Sequence, residues 1–453
     1  MEKPGKIDVS ALVDNSKFGA YQVGIFILCG LCLMIDGFDV QAMGYVAPAL
    51  IRDWNIANSA LGPVFSAAFL GVLVGSLLFS MLADKVGRRP VLIGGTLFFA
   101  ILTFLTARAN SMTELLVIRF IAGMGLGSIM PNAVALIGEF SPKRSRVATM
   151  MIVANGFNVG AAFGGFLAAW LIPNFGWRSV FYFGGAVPLV IAVLMFFMLP
   201  ESLQFLVLQG KKLHKVARWL KRIDPAVAPS PGTQYVVREE KKGGVPFVHL
   251  FYEGRALVTI LLWTVFFLNL LNLFLLASWL PTVVSAAGYV TSTAVLVGTT
   301  LQVGGMLASF VMAAFIRRLG IIPVLIAGFV IGCVSIALIG QVAASLGLLF
   351  LVVFLAGWGV VGNQGTLNAL AATYYPTYLR STGVGWCLGI GRVGAIVGPL
   401  FAGELMRRNW ANQQLFLAAA SLALIATAVM VSLRWMIKPG KTVPTASEVA
   451  AAH

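Results

Sequence analysis

Twelve apolar runs of roughly 20 residues, divided by short polar stretches, dominate the 453-residue chain. They fall near 20-49, 59-83, 91-108, 113-138, 147-171, 177-199, 256-285, 292-316, 321-341, 346-371, 382-405 and 411-436. A helix of about 20 residues crosses the ~30 Å hydrocarbon core of a bilayer. Lipid offers a backbone N–H or C=O no partner, so a run of this kind has to satisfy its own hydrogen bonds as a helix. The expected fold class is therefore an all-α membrane protein with 12 transmembrane helices. Composition excludes the soluble alternative, since only 11% of residues are charged and a water-exposed domain carries about twice that share.

A net charge of +16 invites a nucleic-acid reading. The positions of the basic residues argue against it. With both termini on one side, 25 of the 32 Lys and Arg lie in the termini and the loops of that side, five lie opposite, and two, Arg119 and Arg392, lie inside the runs. This is the positive-inside pattern, so both termini and the long central loop are expected in the cytoplasm, the basic excess facing lipid headgroups and not nucleic acid. The first run starts after Lys17 and is too long for a signal-peptide core, so it is expected to stay as the first span. Cys29, Cys32, Cys333 and Cys387 all sit in apolar runs, and the three histidines are scattered through the central loop and tail, so no metal centre is expected.

The chain also repeats itself. Residues 87-95, GRRPVLIGG, recur at 320-328 as GIIPVLIAG, and RFIAGMG at 119-125 recurs as VFLAGWG at 353-359. Pro142, Arg146, Gly160 and Gly164 meet Pro376, Arg380, Gly394 and Gly398 in the same register. Matches at offsets of 233 and 234 mark a duplicated unit. The expected organisation is a six-helix half at 1-199, a linker at 200-255, a second six-helix half at 256-437 and a cytoplasmic tail at 438-453, the parallel-repeat plan of large transporters. Within the linker, Leu203 to Ile223 reads as an amphipathic helix lying on the cytoplasmic membrane face.

Charges inside the runs carry the chemistry. Asp36 and Asp39 share one helical face. A charge at the bilayer centre costs at least ~2.5 kcal/mol, so such residues normally face a cavity and work there. Burial and a neighbouring like charge favour the protonated carboxyl, which makes the pair a candidate proton carrier. The alternative is a purely structural one, with both acids paired to Arg119 or Arg392. Each guanidinium is a planar fork suited to an organic carboxylate. Equally, Arg119 can tie helices through Asp36 or Asp39, and Arg392 can serve a cytoplasmic or interdomain salt bridge. Asp84, with Lys85, Arg88 and Arg89 after the second run, suggests a salt-bridge gate. Glu139 is either a gate partner of Arg146 or another loop base, or a plain solvated acid. Gly156, Gly160 and Gly164 allow close backbone approach. Asn269, Asn272, Trp279, Asn363, Gln364 and Trp386 can line a pocket for a ring with polar substituents, or anchor and pack helices. No G-x4-G-K-[ST] segment is present for a transport ATPase.

Together, DGFD at 36-39, LGPVFSAAFLG at 61-71, LADKVGRRPVL at 82-92, MPNAVAL at 130-136, GWRSVFYFGG at 176-185, LPES at 199-202, SWLP at 278-281 and GVGWCLGIGRVGAIVGP at 383-399 resemble the major facilitator superfamily, and within it the aromatic acid:proton symporters. The resemblance covers nearly the whole chain. It implies a major facilitator fold of two six-helix halves and proton-driven uptake, across an inner membrane, of an aromatic carboxylate such as a hydroxybenzoate. It further implies a monomer with no cofactor, driven by the proton gradient. Carried over by position, Asp36 and Asp39 would serve proton coupling, and Arg119 and Arg392 would serve substrate or coupling interactions. Asp84 and its basic neighbours would serve gating. Asn158 is bulkier and more polar than the pattern expects and would alter the ring substituent accepted. At Arg317 the second loop has lost its acid, which implies an asymmetric gate. A symporter of another organic or sugar acid, a drug antiporter, or a chemoreceptor for aromatic acids are the rival readings.

Overall fold

The computed structural model describes residues 6–210, 213–223, 233–237, 247–342, 345–376 and 378–437. Among these residues, 12 helices are long and apolar enough to cross a membrane: α1 Ala20–Trp54, α2 Asn58–Val86, α3 Arg88–Thr106, α4 Met112–Phe140, α5 Ala148–Phe175, α6 Arg178–Met198, α7 Ala256–Ala286, α8 Thr291–Leu319, α9 Ile321–Ile339, α10 Leu346–Tyr374, α11 Arg380–Arg407 and α12 Asn412–Met436. The all-α, twelve-span expectation holds. Several helices run past the apolar limits read from sequence, because polar end residues such as Arg52 of α1 continue the helix beyond the hydrocarbon. Two spans are interrupted where apolar content alone shows nothing: α4 breaks at Ser128 and α5 at Asn155. The tail expected at 438-453 lies outside the described residues.

The chain forms two compact units, Met1–Ala42 with Ala67–Leu167 and Asn174–Lys242, and Met43–Ser66 with Ala168–Pro173 and Gly243–His453. In the first, α5 packs on α1 through small residues. A Cβ on Gly160 would run into the Met34 carbonyl oxygen, one on Gly37 would meet the Phe157 backbone, and Gly164 leaves space for the Phe38 ring. In the second, Gly394 and Gly398 of α11 press in the same way on the Phe267 and Leu271 carbonyls of α7. The offsets that align the two sequences thus align two helix contacts, and close approach is what lets dispersion hold helices together in lipid.

Gly87 turns the chain from α2 into α3 at φ 105°, and Gly320 turns it from α8 into α9 at φ 86°. L side chains avoid that region of backbone space, so the glycine that opens each copy of the repeated nonapeptide has a local reason.

The linker departs from expectation. Its single helix is two, Leu203–Leu208 and Leu213–Ile223, with Gly210 between them at φ 63°. Much of its apolar side is covered by protein, although Leu208 and Leu213 are exposed. Leu203, Leu206, Val216, Leu220 and Ile223 are buried in one cluster with Val9 and Val13, residues of a short N-terminal helix, Val9–Asn15. A parallel ladder joins β1, Lys6–Asp8, to β2, Gln234–Val236, with Lys6 opposite Gln234. Spacing shows an amphipathic stripe and cannot say whether protein or lipid covers it.

A pair of substitutions tests the α1–α5 contact. Gly160→Ala adds a methyl where the Met34 carbonyl already sits, and overpacking of this kind costs about 1–3 kcal/mol. Gly94→Ala in α3 adds one into open space and should be neutral or stabilising by up to about 1 kcal/mol. Thermal unfolding in detergent should show the first variant melting below the parent and the second at or above it.

Candidate functional site

The first unit buries an ion pair. Arg119 of α4 donates from Nη1 to Asp39 Oδ1 at 3.0 Å and from Nη2 to Oδ2 at 2.7 Å, and the two residues are 2% and 1% exposed. Two parallel charge-assisted bonds use the matched planes of guanidinium and carboxylate. The Phe181 ring of α6 lies 5.8 Å from the guanidinium carbon, adding the attraction of its negative face. Nε of Arg119 is buried without a hydrogen-bond partner among the described residues. Of the two pairings open for Arg119 in the sequence, Asp39 is the one formed. Asp36, one helical turn earlier on α1, is buried too. Phe38 between them is lodged against Gly164 and Gly184, and its ring meets Phe183 at 5.7 Å.

A charged network joins the α2–α3 turn, the end of α4 and the segment after α6 in the same unit. Glu139 takes Arg88 at 2.5 Å and accepts a 2.5 Å hydrogen bond from the Ser202 hydroxyl. Its partner is thus a base of the 84–90 loop. Arg146 instead pairs with Asp14 and donates to the Ser141 carbonyl at 3.1 Å. Glu201 accepts from the backbone N–H of Arg88 at 2.9 Å and of Arg89 at 3.0 Å. It so caps the N-terminus of α3, where unpaired amides and the helix dipole favour an anion. Arg89 donates to the Phe196 carbonyl at 2.5 Å. Asp84 is exposed at the end of α2 and pairs with no base among the described residues. Sequence reading passed over Glu201 and Asp14; the LPES segment that follows α6 was the available signal for the first.

In the second unit the polar candidates separate. Asn269 and Asn272 of α7 are 1% and 2% exposed. Asn269 donates to Gln364 Oε1 of α10 at 2.8 Å, and Gln364 donates on to Asn368 Oδ1 at 3.3 Å. The Oδ1 atoms of both Asn269 and Asn272 are buried with no partner. Trp279 is employed elsewhere, its Nε1 donating to the Pro399 carbonyl at 3.0 Å and its ring meeting Phe65 edge-on at 5.2 Å. In the same region Arg52 donates to Ser285 at 2.6 Å and to Thr291 at 3.0 Å, and Ser66 to the Ile396 carbonyl at 2.7 Å. Residues 43–66, the C-terminal part of α1 and the start of α2, are thereby fastened to α7, α8 and α11. Trp386 is 41% exposed and stacks on Trp263 at 5.6 Å, with Phe247 at 5.4 Å. Asn363 faces α9, in space that Gly328 leaves open. Arg392 is half-buried on α11, and Asn158 is half-buried on α5, where it donates to Asn155 at 2.9 Å.

The buried pair has a stability consequence. Asp39→Asn leaves Arg119 charged and unpaired, and breaking a buried pair by removing one partner costs about 3–5 kcal/mol. Adding Arg119→Gln removes the stranded charge and should recover most of that loss. Unfolding of the two singles and the double in detergent should give a coupling well above 1 kcal/mol; additive losses would mean that the pair is not formed in the folded protein.

Comparison with known proteins places this geometry in a family. A model described as Major Facilitator Superfamily matches residues 29–314 and 262–452. The 4-hydroxybenzoate transporter PcaK of Acinetobacter baylyi is 39% identical over 410 residues, 89% of this chain and 89% of that one. The gallate transporter of Pseudomonas putida is 37% identical over 427 residues, 93% of this chain and 95% of that one. Among solved structures, the inward open conformation of the xylose transporter XylE from E. coli superposes with a TM-score of 0.71 at 16% identity, covering 95% of this chain and 99% of that one. Such low identity speaks for the fold alone. Twelve spans, a duplicated frame, the family match and relatives aligned along nearly the whole length agree: this multi-pass membrane protein belongs to the major facilitator superfamily.

Proposed function

We propose that the chain is a secondary transporter that imports an aromatic carboxylate of the hydroxybenzoate type together with protons, by alternating access. The observation that carries this reading is the buried Asp39–Arg119 fork. Its cation is held by a carboxylate that a proton can neutralise. When Asp39 takes up a proton, the guanidinium loses its counter-ion and becomes a site for the carboxylate of an incoming substrate. Loss of the proton restores the internal pair and releases the substrate. The charge around Arg119 is balanced in both states, which a low-dielectric interior requires. The orphan Nε of Arg119 is a further donor for the anion. Asp36 supplies a second carboxyl for the proton, and Arg392 a second cation for the substrate.

The names of the relatives support an aromatic acid as cargo. Basic loops support an inner-membrane location with both termini in the cytoplasm. In this reading the protein is a carrier and not an enzyme, works as a monomer, and needs no cofactor beyond the proton gradient. Asp84, Arg88, Arg89, Glu139 and Arg146 serve the gate at the cytoplasmic end. A monoanion moving with one proton is electroneutral, whereas a second proton would draw about 2.3 kcal/mol per 100 mV from the membrane potential.

Uptake of labelled 4-hydroxybenzoate into liposomes holding the purified protein tests the reading. With an inward proton gradient the label should accumulate above its outside concentration, and with a protonophore present it should only equilibrate. Saturable binding without accumulation in either condition would replace the carrier by a receptor. Accumulation that ignores the gradient would remove the proton.

A further inference from the structure

Asn269 and Asn272 stand 233 residues after Asp36 and Asp39, the same offset that relates Phe267 to Met34 in the two close helix contacts. The first span of each half therefore carries a pair of short polar side chains at i and i+3, acids in one half and amides in the other. The amides are halfway along α7, almost wholly buried, and each leaves a carbonyl oxygen without a hydrogen bond. Buried polar atoms are nearly always paired, and an orphan is a strained group or one that awaits a partner. Both orphans are acceptors. What completes them is a donor.

The neighbouring α10 shows where that donor comes from. Gln364 and Asn368 lie one turn apart, both half-buried, with Gly365 exposed beside them. A half-exposed amide row on a membrane helix faces water and not lipid, because hydrocarbon cannot satisfy it. The chain of bonds from Asn269 through Gln364 to Asn368 is all donated in one direction, which uses an N–H of the Asn269 amide and leaves its buried oxygen without a bond. These amides bond to one another, amide to amide.

We propose that Asn269 and Asn272, oriented by Gln364 and Asn368, read a hydroxyl on the aromatic ring of the substrate, accepting its O–H proton. This rests on the reading of the protein as a hydroxybenzoate-type carrier and adds the residues that tell a hydroxylated ring from an unsubstituted one. A site built to bond a hydroxyl rejects the analogue that lacks it, since the buried acceptors then stay unpaired.

The test compares 4-hydroxybenzoate, benzoate and 4-methoxybenzoate as competitors of labelled 4-hydroxybenzoate uptake in proteoliposomes, with direct uptake of each. The methoxy compound keeps the oxygen and loses the donor. The parent should favour 4-hydroxybenzoate at least tenfold over both others. The Asn272 carbonyl oxygen is buried without a partner, so Asn272→Leu strands no donor bonded to it; it should lower 4-hydroxybenzoate uptake at least tenfold toward the benzoate level, and benzoate uptake far less. Asn269→Leu should also erase the preference, with a general loss added because Gln364 Oε1 then lacks its donor. If the parent carries all three benzoates alike, or if both variants keep the tenfold preference, the amide pair does not read the hydroxyl. If the parent accumulates none of the three, the carrier reading itself falls, and this inference with it.

Discussion

A charge cannot stand alone in hydrocarbon, and the first unit is organised around the solution to that constraint. Arg119 and Asp39 neutralise each other on facing helices, and their bond geometry tolerates little displacement. The rest follows from holding those helices at one distance. Gly37 and Gly160 bring α1 and α5 to backbone contact, Gly164 and Gly184 seat Phe38 beside the acid, and Phe181 covers the guanidinium. None of these residues is chemically reactive. They set the spacing at which a carboxylate and a permanent cation meet without either being stranded.

The duplicated frame shows how one scaffold carries two kinds of chemistry. Both halves keep the glycine turn at Gly87 and Gly320, and both press a glycine face against the first span of the half. What differs is charge. Arg119 corresponds to Val353, and the acids of α1 correspond to the amides of α7. At the turn into the third span of each half the same divergence appears, because Glu201 caps α3 beside Gly87, while no such carboxylate approaches Gly320 among the described residues. The packing contacts are shared because backbone approach has few solutions, while the polar residues, which those contacts do not use, are free to diverge.

The spans, the repeat and the buried charges were legible in the sequence, since hydropathy, self-similarity and the cost of burying a charge are all properties of residue type and order. Partner choice was not. Asp39 rather than Asp36 takes Arg119, and Arg88 rather than Arg146 takes Glu139, because the choice depends on which helix faces which. Trp279 and Trp386 read as ring-stacking candidates, yet one donates to a carbonyl of α11 and the other stacks on Trp263. An aromatic residue suits lipid, protein and ligand equally, so its type alone decides nothing. The breaks at Ser128 and Asn155 escaped for a similar reason, as polar residues inside a span mark a cavity, a break or a helix contact without distinction.

The ladder between Lys6–Asp8 and Gln234–Val236 also bears on the order in which the molecule can be made. The partner strand lies after all of the first six spans, so the N-terminal segment has no place to pair until the ribosome has delivered more than half of the chain. During that interval Val9 and Val13 lack the linker helices that bury them in the finished protein. The N-terminus, first to leave the ribosome, is thus among the last pieces of its unit to settle. A tag or fusion placed before Lys6 would act at that late step, on cap assembly, after the spans themselves have entered the membrane.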